Sequence, residues 1–397
     1  MKLLHKIKSL AQENSTEFIA WRRYLHQNPE LSFLEFNTQR FINETLKNIG
    51  ISDIQEIAGT GLVAQIHGEQ SGNQVVALRA DIDALPIQET NQTDYTSKNK
   101  GIMHACGHDV HTASLLGAAK LLFETKSDWS GTVKLLFQPG EEKLPGGASL
   151  MIQDGALENP SPKSIVGQHV MPFLPVGKVG FKSGMYMAAP DELYITVYGK
   201  GGHGGMPHLC VDPVLISAHI IIALQQIVSR INQADNPCVL SIGRVIAEGA
   251  TNVIPNEVKL SGTLRTMNEV WRKTAKEKII KLCNGIAESM GGKAEVEILD
   301  GYPFLKNDEA LTARCQENAR EYLGPENAVD LGLWMGGEDF AYYSQVMPAC
   351  FYRLGTRNEE KNIVSAVHTP TFDIDESALE IGAGLMAWHA VKELAIA

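Results

Sequence analysis

The sequence predicts an α/β protein with two domains. One is a discontinuous domain with a mainly parallel sheet covered by helices, and the other is an inserted ferredoxin-like α+β domain. Short apolar runs that end in polar clusters alternate with helical segments up to residue 183, and this alternation resumes after residue 300. Between these limits the order changes to strand, helix, strand, strand, helix, strand, which is the split-βαβ pattern. We therefore predict one domain from residues 1–183 and 300–397, and an inserted domain from residues 184–299.

The elements of the first domain follow from the spacing of apolar residues. Residues 3–47 carry apolar side chains at i, i+3, i+4 spacing and predict helices, which Asn28-Pro29-Glu30 interrupts. The predicted strands are 74–78, 132–137 and 164–166, and polar clusters follow them at 81–83, 138–142 and 167–169. Because ligands of parallel sheets bind beyond the carboxyl ends of the strands, these clusters are candidates for one site.

The inserted domain has a different pattern. Residues 192–198 alternate between apolar and polar side chains as a half-buried strand does. Further strands are predicted at 239–245, 258–264 and 293–298, and helices at 213–231 and 270–290. These elements make a self-contained unit of ordinary domain size.

Composition excludes several classes of protein. The chain has 397 residues, of which 44% are hydrophobic, and a formal charge of −11. This acidic balance argues against a nucleic-acid partner. Six cysteines in a chain of this length form no disulfide framework. We find no secretory leader and no apolar run long enough to span a membrane, so we expect a soluble cytoplasmic protein without a membrane partner.

The densest cluster of chemically active residues is His104-Ala-Cys106-Gly-His108-Asp109-Val-His111. Cysteine and histidine supply the sulfur and nitrogen ligands that zinc and similar cations prefer. Cys106 and His108 flank Gly107, where the backbone can bend so that both side chains converge. The alternative is a set of histidines that cap a helix beginning near Asp109.

The second cluster, Gln138-Pro-Gly-Glu141-Glu142, places two adjacent carboxylates after an apolar strand. One carboxylate could bind a metal and the other could act as a general base, as metal-assisted hydrolysis requires. The alternative is a solvated turn. His169 and His368 are further candidate metal ligands, although either histidine alone is a weak signal. The Gly-rich segment Gly199–His208 predicts a backbone that a ligand approaches closely, or else a hairpin tip.

Together these motifs resemble the M20 metallopeptidase family, in the amidohydrolase branch that includes hippurate hydrolases, N-acyl-amino-acid deacylases and auxin-conjugate hydrolases. The matching segments are Arg79–Pro86, His104–His111, Gln138–Glu142, His169-Val170, Gly199–His208, Thr251–Pro255, Gly262–Arg265, Gly336–Phe340 and His368–Pro370. They run in the family's order over most of the chain.

The resemblance implies metal-dependent hydrolysis of the amide bond of small N-acyl-amino acids, such as hippurate-like or N-acetyl substrates. It implies two divalent ions (zinc, manganese, nickel or cobalt) bound by Cys106, His108, Glu142, His169 and His368, with Cys106 as the bridge. Glu141 maps onto the general base. His203 maps onto a histidine of the inserted domain that polarises the substrate carbonyl, and Asn252 and Arg265 map onto substrate-binding residues. The inserted domain would act as a lid and form a homodimer.

The remaining polar residues of these motifs receive supporting roles. Asp83 matches an aspartate that orients a metal ligand, and His104, Asp109 and His111 are interpreted as orienting residues rather than ligands. For Glu338 and Asp339 we favour a helix-capping role. For Asn252 the alternative to substrate binding is a local cap, and for Arg265 it is a surface ion pair. Two departures from the family pattern, Gly140 and Gly204-Gly205, concern the range of substrates more than the reaction.

Three other functions remain open at this stage. A thiol hydrolase would use Cys106 as its nucleophile. A non-catalytic metal-binding protein would have no need for Glu141 as an unligated base. An aminopeptidase or dipeptidase of the same family would need an acidic contact for the substrate ammonium, and the sequence does not locate one.

Overall fold

The computed structural model describes residues 2–396, and its elements are numbered here in chain order. The helices are α1 (Lys2–Glu13), α2 (Ser15–Gln27), α3 (Phe36–Ile49), α4 (His108–Glu124), α5 (Gly147–Gln153), α6 (Pro213–Gln226), α7 (Glu269–Ser289), α8 (Glu309–Leu323), α9 (Ala341–Val346) and α10 (Ala378–Leu394). The strands are β1 (Ile54–Ile57), β2 (Gly61–His67), β3 (Gln70–Asp81), β4 (Ser130–Gln138), β5 (Ile165–Pro175), β6 (Val179–Phe181), β7 (Gly184–Met187), β8 (Ala189–Tyr198), β9 (Gly202–His203), β10 (Cys238–Ile246), β11 (Val253–Ile254), β12 (Glu257–Thr266), β13 (Lys293–Leu299), β14 (Leu305–Asn307), β15 (Ala328–Asp330) and β16 (Ala349–Arg357).

The chain divides into two compact units. The first comprises the residues up to Gly184, Lys306–Gly332 and the chain from Asp339 onward. The second comprises Met185–Leu305 together with the short segment Leu333–Glu338.

The first unit is built on an eight-stranded sheet with the strand order β1-β2-β4-β3-β5-β16-β6-β15. The central neighbours β4-β3-β5-β16 are all parallel, whereas β1, β2 and the β16–β6 pair are antiparallel. The predicted α/β class and mainly parallel sheet are therefore confirmed. One predicted boundary is wrong: β5 continues through His169 to Pro175, so His169 lies within a strand instead of after its end.

Helices α4 and α10 pack against each other and over this sheet. Both are apolar on nearly all sides, which is the pattern of a helix enclosed in a core. The first turn of α4 is buried as well, and it is where the metal-binding motif of the sequence begins. The core thus fixes the backbone that carries His108.

In the second unit, four antiparallel strands have the order β10-β12-β8-β13. Helices α6 and α7 pack against each other, and both contact strands of this sheet. Asp212 caps the start of α6 by accepting hydrogen bonds from Val214 N and Leu215 N, and Asn268 caps α7 in the same way at Trp271 N. A π-helical turn, Ile227–Ile231, extends α6.

The expectation that no apolar stretch could span a membrane is wrong by length and composition. The continuous helix Pro213–Ile231 is 19 residues long and apolar enough to do so. Length and composition alone do not distinguish a membrane helix from a core helix. Ile216, Ile220 and Leu224 of this helix are buried in the core of the second unit.

Candidate metal centre

The five predicted metal ligands lie together in the first unit, although they are far apart in the chain. Cys106 ends the loop before α4, and His108 is the first residue of that helix. Glu142 follows β4, His169 lies within β5, and His368 lies in the loop between β16 and α10. The parallel order of β4, β3 and β5 brings the ends of these strands to one edge of the sheet.

Cys106 is common to two groups of ligand atoms. The first group is Cys106, His108 and His169, and the second is Cys106, Glu142 and His368; within each group the ligand atoms lie within 4.8 Å of one another. The Cys106 sulfur is 3.4 Å from His169 Nε2 and 3.3 Å from His368 Nε2. His368 Nε2 is in turn 3.2 Å from Glu142 Oε1. One thiolate therefore lies where it could bridge two ions.

Gly107 makes the convergence of Cys106 and His108 possible. Its φ of 85° lies in the left-handed region, where side chains other than glycine are strained. A Cβ at this position would also lie 2.5 Å from Val170 Cγ2. The sharp bend and the close contact both require glycine between the two ligands.

Two buried ligand atoms lack a hydrogen-bond partner. Within residues 2–396, His108 Nε2 and Glu142 Oε1 are both inaccessible to solvent and neither makes a hydrogen bond of good geometry, although Glu142 Oε1 lies 3.2 Å from His368 Nε2. Buried polar atoms are normally satisfied, so a pair of unsatisfied atoms within one cluster indicates a missing partner. The mixed donor set of thiolate, imidazole and carboxylate suits zinc, manganese, cobalt or nickel. The residues therefore fit a divalent metal centre.

The imidazoles are oriented by their second nitrogens. His108 Nδ1 lies 3.0 Å from Asp83 Oδ1, and His169 Nδ1 lies 2.8 Å from the Val170 carbonyl oxygen, so both nitrogens donate. In each ring the Nε2 atom is left for the cluster. Fixing a ligand ring through its other nitrogen is typical of metal-binding histidines. The expected role of Asp83 agrees with this arrangement.

The pKa values of the ligand side chains indicate which of them must lose a proton before a metal ion can bind. Burial raises the pKa of the Cys106 thiol. The neighbouring Cys106 and Glu142 side chains raise the pKa of His368 to about 10. Burial, together with the nearby Arg353, holds the pKa of His169 well below its usual value, so this ring is neutral. Without an ion, His368 therefore keeps its proton at neutral pH.

Glu141 adjoins the ligands without belonging to the two Cys106 groups. Its side chain is 7% exposed, and its carboxylate lies within 4.8 Å of the ligand atoms of His108 and Glu142. Its Oε1 accepts a hydrogen bond of 3.3 Å from Asp339 N. The turn before it is fixed because Glu35 Oε1 accepts a 2.9 Å hydrogen bond from Gly140 N.

A relay of hydrogen bonds supports the strand that carries His169. Asp81 Oδ1 lies 2.5 Å from His111 Nδ1, and His111 Nε2 accepts from Val170 N at 2.9 Å. Burial favours a neutral Asp81, but the charges of His108 and Arg79 and the hydrogen bond from His111 hold its pKa well below the usual value. His111 therefore orients the backbone beside a ligand, as the sequence predicts. His104, by contrast, has no hydrogen-bond partner on either ring nitrogen among residues 2–396.

The predicted helix cap at Asp339 is wrong. Helix α9 has no side-chain cap, and Asp339 is instead fully buried. Its Oδ1 accepts hydrogen bonds of 2.8 Å from Arg79 Nη2 and from Gln138 Nε2, while its Oδ2 accepts one of 2.9 Å from Ala148 N. Arg79 Nη1 also donates to Asp81 at 2.7 Å. The Arg79–Asp339 pair thus ties the ends of β3 and β4 to the start of α5.

The second unit brings His203 and Asn252 together. Strands β9 and β11 pair, and Gly204 N donates to the Asn252 carbonyl oxygen at 2.8 Å. His203 is exposed, and its Nδ1 accepts a 2.9 Å hydrogen bond from Gly205 N, which leaves the proton of a neutral ring on Nε2. The Asn252 side chain makes no hydrogen bond within residues 2–396, so the local-cap alternative is wrong.

Arg265 is half-buried on β12 of the second unit. Its Nε donates to Thr263 Oγ1 at 2.9 Å, and burial lowers the pKa of its guanidinium below the usual value. In the described part of the chain no carboxylate lies within ion-pair distance of it, which contradicts the surface ion-pair alternative. Its terminal nitrogens remain free to receive an anionic group.

Sequence reasoning missed two groups of this site. Arg79 received no role although it directly follows the predicted strand 74–78, and a charged residue at the end of a buried strand is unusual and signals a buried partner. Arg22 was likewise not singled out, yet it is fully buried and donates to Asp109 at 2.7 Å. No spacing in the sequence links residues 22 and 109, so only the fold reveals this pair.

Known proteins with similar sequences fall in one family. Residues 77–390 match the model of peptidase family M20/M25/M40. The chain is 44% identical over 305 residues to an N-acyl-L-amino acid amidohydrolase of Geobacillus stearothermophilus, an alignment that covers 77% of this chain and 82% of that protein. It is 41% identical over 378 residues to an N-acetyl-L-cysteine deacetylase of Bacillus subtilis, covering 95% and 88% of the two chains.

A solved structure from the same family has a similar fold. The crystal structure of the Bacillus subtilis YXEP protein, described as a dinuclear metal binding peptidase from the M20 family, has a TM-score of 0.82 at 37% identity. The match covers 96% of this chain and 99% of that one. The predicted M20 family and the predicted hydrolase class are confirmed by these matches.

Proposed function

The chain belongs to peptidase family M20/M25/M40, and on that basis we propose that it is a metal-dependent amidohydrolase that cleaves the amide bond of N-acyl-amino acids. The observation that carries the proposal is the buried carboxylate of Glu141 beside two groups of metal ligands that share Cys106. The relatives named as an N-acyl-L-amino acid amidohydrolase and an N-acetyl-L-cysteine deacetylase support amide hydrolysis of small acylated amino acids.

The proposed centre holds two divalent ions. Cys106, His108 and His169 would hold one, and Cys106, Glu142 and His368 the other. Divalent ions in such a centre polarise a carbonyl oxygen and lower the pKa of water to ~7. The protein fixes the ligands in advance, since Asp83 and the Val170 carbonyl already orient two of the imidazoles.

Glu141 acts as the general base in this proposal. Its carboxylate takes a proton from the attacking water and then passes the proton to the nitrogen of the leaving amine. One carboxylate that works in both directions makes a second acid unnecessary. Burial on a fixed turn keeps it next to the ligands, and the hydrogen bond from Asp339 N holds one oxygen in place.

The second unit supplies the proposed substrate contacts. His203, whose Nε2 carries the proton when the ring is neutral, donates to the developing oxyanion. Arg265 pairs with the substrate carboxylate through its terminal nitrogens. Asn252, adjacent to His203 through the β9–β11 pair, contacts the substrate as well. The lid role of this unit is part of the same proposal.

The adjacent carboxylates Glu141 and Glu142 allow the proposed base and the proposed metal ligand to be tested separately. We expect Glu141→Gln to retain two ions per chain while kcat falls by about 10²–10⁴-fold, the usual contribution of a general base. Glu142→Gln is the matched variant and should lose metal together with activity. Metal content is measured on dialysed protein, and hydrolysis on a panel of N-acetyl, N-benzoyl and indoleacetyl amino acids with and without added Mn²⁺. Metal loss in Glu141→Gln would make this residue a ligand and remove the base from the mechanism.

Variants of the proposed substrate-binding residues test the role of the second unit. We expect His203→Ala to lower kcat by about 10²-fold or more, as loss of one oxyanion donor does. We expect Arg265→Gln to raise KM for substrates with a free carboxylate but not for the corresponding carboxamides. The same panel, extended to dipeptides with a free amine, decides between this activity and that of an aminopeptidase or dipeptidase. Absence of hydrolysis on every substrate would leave a metal-binding protein without this activity.

We further propose that the protein is a cytoplasmic homodimer joined through the second unit. The outer face of α6 supports this, since Leu215 is 51% and Ile222 is 72% exposed, and the edge strand β10 exposes Val239 and Val245. Ile222→Asp should give monomers in light scattering after gel filtration. Val270→Asp, a change of an equally apolar exposed residue on α7, should leave the dimer intact.

A further inference from the structure

Arg22 lies outside the residues that match the family model, yet its side chain is completely buried next to the metal centre. We propose that Arg22 is a positioning residue that bridges the segment carrying His108 and the segment carrying His368, and thereby holds them at the spacing that two ions require. This inference rests on the proposed metal centre.

The guanidinium reaches one carboxylate on each ligand segment. Arg22 Nε donates to Asp109 Oδ2 at 2.7 Å, and Arg22 Nη2 donates to Asp373 Oδ1 at 3.0 Å. Asp109 directly follows His108 in the first turn of α4. Asp373 lies in the same loop as His368, and its other oxygen accepts a 2.8 Å hydrogen bond from Tyr95. One planar cation therefore connects two segments that are separated by more than half of the chain.

The remaining contacts of Arg22 show a fixed side chain. Arg22 Nη2 is 3.3 Å from His26 Nδ1, and Arg22 Nη1 is 3.8 Å from Glu376 Oε1. The guanidinium carbon lies 4.8 Å from the centre of the Tyr95 ring. His26 Nδ1 also lies 2.8 Å from Asp109 Oδ2, so the carboxylate has a second partner there.

The His368 segment depends on this bridge more than the His108 segment does. His108 begins a buried helix and is also held by Asp83. The side chain of His368 is 52% exposed, and its φ of 61° is one that residues other than glycine rarely adopt. Its backbone is tied down by the hydrogen bond of 2.7 Å from His368 N to the Ala105 carbonyl oxygen. Thr90 N and Asn91 Nδ2 also hold this loop by donating to the carbonyl oxygens of Pro370 and Phe372. The Arg22 bridge is the charged contact that ties the loop to the first turn of α4.

The test measures metal binding to the apo protein. Zn²⁺ or Mn²⁺ is titrated into metal-free full-length protein in competition with a chelator of known affinity, and both binding constants are fitted. We expect the wild type to bind two ions. In Arg22→Gln the first ion, held by Cys106, His108 and His169, should bind nearly as in wild type. The second ion, which needs His368, should bind about 10–100-fold more weakly, the usual effect of losing a partner that supports a ligand.

Two further variants separate positioning from stability. Asp373→Asn keeps the Arg22–Asp109 pair and should weaken the second ion in the same way. Arg22→Lys keeps a charge beside Asp109 but lacks the planar fork that reaches two carboxylates, so it should preserve the melting temperature better than Arg22→Gln and still weaken the second ion. If Arg22→Gln does not fold, Asp373→Asn and Arg22→Lys decide the question.

Arg23 is the matched control. It neighbours Arg22, lies 4.9 Å from the same Tyr95 ring and makes two 2.7 Å hydrogen bonds to Glu376, but it contacts neither Asp109 nor Asp373. Arg23→Gln should bind both ions as the wild type does. Wild-type binding of the second ion in both Arg22→Lys and Asp373→Asn, or an equal loss in Arg23→Gln, would overturn the bridge. A wild type that binds no metal would instead overturn the proposed function.

Discussion

His111 and His104 allow the role of the supporting hydrogen bonds to be measured on two similar residues. Both histidines are buried in the same short motif, three and two residues away from a proposed ligand. His111 makes two hydrogen bonds, to Asp81 and from Val170 N, whereas His104 makes none among the described residues. His111→Ala should therefore weaken metal binding, and His104→Ala should not.

The magnitude follows from the groups left behind. In His111→Ala the buried Val170 N–H loses its acceptor, and an unsatisfied buried donor of this kind costs about 1–3 kcal/mol. Asp81 keeps its hydrogen bond from Arg79, so its charge stays paired. The backbone can regain a partner only by moving β5, which displaces His169. A free energy of this size corresponds to an affinity about 5–150-fold lower, at about 1.4 kcal/mol per tenfold change.

The assay is a competition titration of apo protein with Zn²⁺ and a chelator, with thermal unfolding measured on the same samples. Both alanine variants leave a cavity and should melt at a lower temperature than the wild type. His111→Gln should recover part of the affinity, since its amide can accept from Val170 N and donate to Asp81. Equal losses of metal affinity in His104→Ala and His111→Ala would refute the reasoning, because the effect would then come from the cavity alone.

Three further predictions follow from the polar groups of the first unit. Metal affinity should rise with pH up to about 10, because the pKa of His368 is raised to about 10 and its proton must leave before an ion binds; calorimetry in buffers of different ionisation enthalpy should detect that released proton. Arg79→Met should lower the free energy of unfolding by about 3–5 kcal/mol in denaturant titrations, since it leaves the buried carboxylates of Asp81 and Asp339 without their cation. Burial lowers the pKa of His389 to about 3, so the unfolded chain binds more protons there below pH ~6.5, and His389 should contribute about 2 kcal/mol to the stability lost between pH 7 and 5; His389→Leu should reduce the measured loss by about that amount.

The candidate metal ligands of this site can be predicted from the sequence more easily than the hydrogen bonds and ion pairs that hold them in place. Cys106, His108, Glu142, His169 and His368 are recognisable because each has a residue type that binds metal and because each stands in a motif of one family. The strand before Glu142 and the beginning of the strand that carries His169 are also predictable from their apolar runs. Their alternation with helices is sufficient to predict that the strand ends share one edge of a sheet.

The partners of the buried charges could not be predicted in this way. Arg79 and Asp339 are 260 residues apart in the chain, and Arg22 and Asp109 are 87 apart. No local spacing encodes such pairs, because they depend on how the helices and strands pack. Asp339 shows the consequence: its position before a short helix suggested a cap, and its actual partners come from β3, β4 and the start of α5. The helix at 213–231 was predicted, but not its capacity by length and composition to span a membrane, because polar residues such as Gln225 and Gln226 divide its apolar residues into shorter runs.

The two buried arginines explain how the ligands can be ordered before any ion binds. A buried carboxylate that supports the residues around a ligand must stay ionised, although burial favours its protonated form. Arg79 holds Asp81 charged next to His111, and Arg22 holds Asp109 charged in the residue after His108, so that both carboxylates are fixed by the protein itself. The five proposed ligands, in contrast, include no arginine or lysine, and the Cys106 thiol and the His368 imidazole carry protons in the absence of metal. The two buried arginines thus stabilise the carboxylates around the centre, whereas the ligands themselves release protons when metal binds. It follows that removing metal should leave the fold of the first unit intact, while removing either arginine should disturb the centre even when metal is abundant.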